Sequence, residues 1–198
     1  SQGQLTPLFN NLCPDILGGN TITKVHTDQA WDVEYYRDIK PILERSCAGC
    51  HSLDGPAEAG LVLDDHSIVD GLENTYNRLA RDQRALYGIP PVIRNKQWRQ
   101  TNASRYIRKF QSRRSLLVWK LFGRRLDGWE NGDHPTELVP GDPATLPDGV
   151  NANTADLDYT GTIMPPPNSG YPALRTDEKA LFARWIDLGA PISYQEGV

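Results

Sequence analysis

The sequence predicts a helical, loop-rich globular fold that forms a single domain over residues 1–198. Apolar residues recur at helical spacing near residues 39–43, 116–122 and 176–188. The 15 prolines and 17 glycines indicate long irregular connections between these short helices. A chain of this length can bury a sizeable core without disulfide bonds. No apolar run approaches the ~20 residues that a membrane-spanning helix needs, so no transmembrane segment is predicted.

The N-terminal segment, residues 1–30, has no sustained period and is interrupted by prolines and glycines. We therefore expect an irregular arm that lies over the domain. The chain begins at Ser1 without a methionine, so we expect a mature or trimmed form whose signal peptide has been removed.

Residues 31–46 lead into the most specific motif of the chain. The alternation of Trp31, Val33 and Tyr35 predicts a short extended approach. Asp38 is then a suitable N-cap for a helix, and Pro41 is tolerated in a first turn. The apolar residues at 39, 42 and 43 form one face of this helix, which ends at the motif.

The motif is Cys47-Ala48-Gly49-Cys50-His51. Cys-x-x-Cys-His is typical of a c-type haem attachment site, in which two thiols bond to porphyrin vinyl groups and the imidazole becomes the proximal iron ligand. The alternatives are a redox-active cysteine pair and half of a zinc site. Zinc would require a second pair of ligands, and the remaining candidates are scattered: Cys13, His26, His66 and His134. We therefore predict one covalently attached haem c, with Cys13 as a buried, inert thiol.

Residues 65–82 favour another helix. Asp65 is a suitable cap, and apolar side chains follow near helical spacing from Ile68 to Leu79. The pattern predicts a helix from about His66 to Asp82, with His66 as a surface or capping residue rather than a ligand.

A basic insertion at about residues 72–112 belongs to a wider charge asymmetry. Between Arg78 and Arg125 lie 14 of the 21 Lys/Arg residues and a single acid, so that segment is +13 and the remainder −17, which sum to the net −4. Internal neutralisation of the acidic body is the favoured interpretation. The alternative is a docking surface for a charged partner that includes four cations, Arg108, Lys109, Arg113 and Arg114. A nucleic-acid surface is disfavoured because the pI is near 5.5.

The following segment combines one short helix with a long loop. Ser115 is a suitable cap for a helix from Leu116 to Phe122 that Gly123 ends. Residues 127–162 are rich in Gly, Pro, Asn and Asp, which predicts a long ordered loop. Its acidic and amide side chains match no EF-hand spacing, so turn formation explains them better than calcium binding.

Met164, the only methionine, ends this loop in the run Gly161-Thr162-Ile163-Met164-Pro165-Pro166-Pro167. A thioether is a suitable sixth ligand for haem iron. The prolines stiffen the backbone behind it and remove competing N–H donors. We predict that Met164 is the distal metal ligand; the alternative is a side chain that fills a gap in the core.

The last predicted element is a helix that Thr176 caps and that ends before Gly189. Asp177 and Glu178 complement the helix dipole at its N-terminus. Its broad apolar face is expected to pack across the helix that contains residues 39–43.

Together these elements resemble the class I cytochrome c superfamily, and within it the planctomycete-type cytochrome c domains. The match covers about residues 31–71 and 113–191, in the order that the family has, and rests on six short segments: Asp38–Leu43, Cys47–His51, Gly60–Leu63, Ser115–Leu117, Ile163–Pro166 and Trp185–Ala190. The haem and Met-Pro-Pro motifs are specific, whereas the helix patterns are supportive only. The chain departs from compact members in its basic insertion and in the long loop at 127–162.

The resemblance implies an all-α, cytochrome c-like fold around one covalent haem. Cys47 and Cys50 would be the thioether anchors, His51 the proximal ligand and Met164 the distal ligand. It also implies haem attachment outside the cytoplasm, and hence a periplasmic or otherwise exported protein.

These expectations favour a monohaem carrier of single electrons with no bond-making chemistry, and therefore not an enzyme. Its partner would be a periplasmic dehydrogenase, an oxidase or another cytochrome, or the chain would be the electron-transfer domain of a larger redox protein. The alternative is a haem enzyme or gas-sensing protein whose distal site is open or labile.

Overall fold

A computed structural model describes residues 32–84, 86–87, 102–139, 142–150 and 155–193. The chain divides into two units, Ser1–Asp32 and Val33–Val198, and the helices and strands of the described residues lie in the second. The predicted arm at 1–30, with Cys13, lies outside the described residues, so the single-domain prediction stays a prediction.

The described chain contains four α-helices and one small sheet. The helices are α1 (Lys40–Ser46), α2 (Asn74–Ala80), α3 (Leu116–Phe122) and α4 (Thr176–Asp187). Strands β1 (Ile68–Val69) and β2 (Leu72–Glu73) pair antiparallel. The prediction of an all-α, cytochrome c-like fold is therefore wrong: the fold is mixed and loop-rich. None of the described helices is long and apolar enough to cross a membrane.

The sheet occupies the place where the sequence pattern predicted the first half of a helix from His66 to Asp82. Asp70 and Gly71 have φ values of 53° and 78°, the left-handed pair that a two-residue hairpin turn requires. Because β1 is exposed on both of its residues, its apolar side chains do not form a helical core face. Only α2 remains of the predicted helix.

The core forms where α1 and the π-helical turn before it, Tyr35–Ile39, meet α4. Tyr35 and Trp185 are fully buried, and their ring centroids lie 6.2 Å apart. The backbone N–H of Tyr35 donates to the carbonyl of Pro191 at 3.1 Å, which ties the chain after α4 to the entry of α1. The last helix shares a buried core with residues 39–43, and its main packing contact there is with the turn Tyr35–Ile39 rather than with α1 itself.

Helix α3 has the predicted bounds, and Gly123 ends it with φ 73°. Ser115 precedes it, but its hydroxyl makes no capping bond; it accepts from the N–H of Arg108 at 2.9 Å instead. Helix α4 begins at Thr176 as predicted, and the residue before it closes a capping box in which the N–H of Arg175 donates to Glu178 at 2.8 Å. Both helices therefore start where expected, with different capping groups.

Candidate haem site

The haem motif begins where α1 ends. The N–H of Cys47 still donates to the carbonyl of Leu43 at 2.8 Å, and the N–H groups of Cys50 and His51 both donate to the carbonyl of Cys47 at 3.1 Å. This turn brings the two thiols and the imidazole together on one short segment. Cys47 and Cys50 are both free thiols, as thioether formation requires.

An ion pair with a buried carboxylate and a partly exposed guanidinium holds this turn against α4. Arg45 lies two residues before the first thiol, and its guanidinium binds both carboxylate oxygens of Glu178, at 2.8 and 2.9 Å. Only 3% of the Glu178 side chain is exposed, and the hydrogen bonds from Arg45 lower the pKa of its carboxyl. Such two-point pairs are strong and directional, so the end of α1 is fixed relative to α4.

The environment of the Cys47 thiol and of the imidazole favours their neutral forms. Burial raises the pKa of Cys47 to about 12, so its thiol is protonated at neutral pH. Burial also lowers the pKa of His51, despite the carbonyl partner of its ring. A neutral imidazole is the form that binds iron.

Two backbone groups act on the His51 ring, the carbonyls of Leu61 and Glu58, and the Leu61 contact is the better defined of the two. The Nδ1 of His51 lies 3.2 Å from the carbonyl oxygen of Leu61, which can only accept a hydrogen bond, so Nδ1 carries the proton. The lone pair is then on Nε2, which is free to bind a metal, and a fixed Nδ1–H partner is a usual feature around histidine ligands. Two adjacent thiols and a neutral imidazole with a free Nε2 fit a covalently attached haem.

Met164 lies beside α3. Its backbone N–H donates to the carbonyl of Lys120 at 2.8 Å, while the ammonium group of Lys120 donates to the carbonyl of Thr160 and lies 5.3 Å from the ring centroid of Tyr159. The positive charge of Lys120 in turn adds to the effect of burial in lowering the pKa of His51. The structure thus places Met164 beside Lys120, whose charge also acts on His51, and coordination by Met164 stays a prediction.

The haem motif alone does not predict three groups that lie in this region: the Leu61 carbonyl, Lys120 and Tyr171. A Cβ atom built on Gly49 would overlap the phenol ring of Tyr171, so the ring lies directly against the motif backbone. Tyr171 follows the Pro-rich run after Met164, and only this closeness to a predicted ligand could have drawn attention to it. Leu61 belongs to the apolar segment Leu61–Leu63, which is buried as core.

Part of the basic segment is neutralised inside the protein, in the way that the favoured interpretation describes. Arg108 and Asp156 form a pair at 2.6 Å whose side chains are 4% and 2% exposed. Arg78 binds the buried carboxylate of Asp65 at 2.8 Å. Because Arg108 is buried, it is not available for the docking surface that the alternative proposed. Residues 88–101 of the insertion lie outside the described residues.

Comparison with known proteins gives a related sequence and a related solved structure. No protein-family model matches the chain. Hydrazine synthase subunit alpha from Kuenenia stuttgartiensis is 35% identical over 166 residues, which cover 82% of this chain and 16% of that protein. A solved structure, Kuenenia stuttgartiensis hydrazine synthase, matches 83% of this chain and 17% of its own chain at 24% identity with a TM-score of 0.41. The chain therefore spans less than a fifth of either protein.

The related sequence corrects one expectation. The sequence patterns predicted an electron carrier that is not an enzyme, whereas the homologous protein is by name a subunit of an enzyme. A non-enzymatic role is therefore not supported. The haem motif had no bearing on this distinction, because the same attachment chemistry serves carriers and enzymes.

Proposed function

We propose that this chain is the haem-bearing part of a redox enzyme of the hydrazine synthase kind, with a labile distal site. Cys47 and Cys50 would anchor one haem c, and His51 would be its proximal ligand. When bound, the haem supplies one-electron chemistry at iron. The observation that carries the proposal is the hydrogen bond from His51 Nδ1 to the Leu61 carbonyl, which leaves Nε2 free beside two free thiols.

The chain's own residues would set the character of this centre. The Leu61 carbonyl orients the imidazole and increases its basicity, since a hydrogen-bonded Nδ1–H makes Nε2 a stronger electron-pair donor to a metal. The pair between Arg45 and Glu178 holds the turn that carries the thiols. Burial of Cys47 keeps water away from the attachment edge.

A labile distal position is supported by the loop that carries Met164. No residue between 160 and 173 is buried, and hydrogen bonds to one residue, Lys120, hold it to α3. Segments with few buried contacts open at low free-energy cost. The Met164 thioether would therefore leave the iron readily and allow a small substrate to bind there.

The name of the relative, a subunit designated alpha, supports protein partners for this chain in a larger assembly. We further propose a periplasmic or exported location, because c-type haem attachment takes place outside the cytoplasm in the class that the motif resembles.

Covalent attachment is tested by intact-mass spectrometry of the purified protein. The C47A/C50A double variant should lose the mass of one haem, whereas C13A, which removes the only cysteine outside the motif, should retain it. Equal haem content in all three proteins would refute the attachment site.

The distal site is tested by adding carbon monoxide to the reduced protein and following the Soret band. We expect a shift in the unaltered protein and a faster one in M164A, which lacks the competing thioether. A shift in M164A alone would mean that Met164 stays on iron, and the proposal of a labile site would be wrong. If the Soret band shifts at the same rate in both proteins, Met164 is not a ligand of the iron.

A further inference from the structure

A cavity of about 580 Å³ lies at the C-terminal end of α4, outside the haem motif. It is lined by two segments, residues 110–114 and 126–128, and by Asp187. Cavities of this volume are typical of small-molecule sites. None of the haem-site residues contributes to its wall, so the site is separate from the proposed function.

The acidic groups of the wall are already occupied. Asp187 accepts from the N–H and from the hydroxyl of Ser112, one bond to each carboxylate oxygen, both at 2.8 Å. Asp127 is bound by the guanidinium of Arg125 at 2.7 and 3.2 Å, and only 1% of its side chain is exposed. The wall therefore offers few free acceptors to a ligand.

The basic groups of the wall, in contrast, have donors to spare. Arg113 is exposed, and its guanidinium makes no ion pair with any part of the chain that the structure describes. Arg114 reaches Gln111 at 3.4 Å and Asp156 at 3.5 Å, both at the outer limit of a hydrogen bond. Its Nε is buried without a hydrogen-bond partner among the described residues. Two adjacent guanidinium groups with free N–H donors select an anion.

An aromatic ring stands beside these cations. Phe110 is 69% exposed, although aromatic side chains usually lie in the core. Its backbone is in the left-handed region, with φ 63°, which is costly for a residue with a bulky side chain. The N–H of Phe110 donates to the carbonyl of Ile186 at 2.9 Å, and this bond helps to hold the conformation. Such strain at an exposed residue is a feature of ligand-binding sites.

We propose that this cavity binds an organic carboxylate whose apolar, preferably aromatic, body lies against Phe110. The planar guanidinium of Arg113 matches the two oxygens of a carboxylate. Leu126 adds apolar surface on the opposite segment of the wall. Asp127 is neutralised by Arg125, and both carboxylate oxygens of Asp187 are already engaged by Ser112, so Arg113 is the wall's cation without an ion-pair partner among the described residues.

Isothermal titration calorimetry of the haem-loaded protein with sodium benzoate tests this proposal. The titration reaches about 10 mM benzoate, which would nearly saturate a site with a Kd of ~1 mM. R113Q should weaken binding about tenfold or more, the effect of losing charge-assisted hydrogen bonds. F110G removes the ring but keeps a residue that tolerates positive φ, and it should also weaken binding. The matched control is R124Q, since Arg124 is also exposed but lies outside the cavity.

Two other probes separate charge from shape. Benzyl alcohol has the same ring without the charge and should bind more weakly than benzoate. Phenyl phosphate has the charge without the planar carboxylate; if it binds and benzoate does not, the carboxylate assignment is wrong. The proposal is also overturned if benzoate produces no binding heat, or if R113Q and R124Q bind it equally well.

Discussion

The buried pair between Arg108 and Asp156 offers the sharpest test of how this protein manages its uneven charge. Replacing Arg108 by leucine removes the cation and leaves the carboxylate of Asp156 in the core. The remaining partners of that carboxylate are the N–H of Leu157 at 2.8 Å and the distant guanidinium of Arg114 at 3.5 Å. Neither replaces a charge–charge contact at 2.6 Å.

The expected cost depends on the burial of both side chains, which are 4% and 2% exposed. Breaking a buried ion pair by removing one partner costs about 3–5 kcal/mol, because the other charge stays desolvated. That is a large part of the ~5–15 kcal/mol by which domains are stable. For a chain of this size, the loss corresponds to a fall in Tm of about 6–20 °C, at ~2–4 °C per kcal/mol.

Urea unfolding followed by circular dichroism measures the difference directly. R113Q is the control, since Arg113 is exposed and its replacement should change the free energy of unfolding by less than about 0.5 kcal/mol. The double variant R108L/D156L should recover most of the loss, because two apolar groups need no charge partner. The pair is not desolvated in the folded protein if R108L is no more destabilising than R113Q. The same conclusion follows if R108L/D156L loses as much stability as R108L and D156L do together.

Two further predictions concern pH and backbone strain. Burial alone would raise the pKa of the Asp65 carboxyl, but hydrogen bonds, above all from Arg78, outweigh burial and hold this pKa well below its usual value. The ionised carboxylate therefore stabilises the folded state at pH values above the unfolded pKa of about 4, and this stabilisation is lost as the pH falls below it. Unfolding free energies measured from pH 6 to pH 3 should fall more steeply in the unaltered protein than in D65N, and equal slopes would contradict the assignment. Gly189→Ala should destabilise the protein more than Gly71→Ala. Both residues have positive φ, but only at Gly189 would the new Cβ lie 2.7 Å from a ring atom of Phe110. Equal changes in the urea midpoint would show that the ring moves aside at no cost.

Local signals predicted part of the fold well. The bounds of α3 and the start of α4 could be predicted because a polar residue, an apolar face and a terminal glycine lie within one short segment. The capping groups could not be predicted in the same way. Ser115 is recruited by Arg108, and Glu178 is shared with Arg45 across 133 residues, so tertiary contacts decide how these side chains are used.

The failure at residues 66–73 has a different cause. The pair Asp70-Gly71, which follows Ile68-Val69 and precedes Leu72, is a strong hairpin signal. The apolar residues from Ile68 to Leu79 have helical spacing that extends across this turn and predicts a helix instead. Spacing alone could not distinguish an exposed hairpin from the first turns of a helix. The all-α prediction is wrong because the turn chemistry of Asp70-Gly71 overrides the helical spacing around it.

The candidate site also combines groups that the local sequence predicts with a group that it does not predict. The thiols and the imidazole are adjacent in sequence, so their chemistry could be predicted from five residues. The group that orients His51 is a backbone carbonyl ten residues away, and a carbonyl has no signature in a sequence.

The choice between a carrier and an enzyme depends on contacts that are further apart still. Both kinds of protein attach haem in the same way, and they differ in whether a small molecule can reach the iron. Here that depends on how firmly the loop after Tyr159 is held to α3, and Lys120 provides hydrogen bonds at two points of it. One of these is made by the Lys120 side chain, whose pKa is lowered by burial, and this hydrogen bond to Thr160 lies at the exposed surface. Lys120 therefore links the loop that carries Met164 to α3, and under the proposed function the ease with which that link opens would govern whether a substrate can reach the iron.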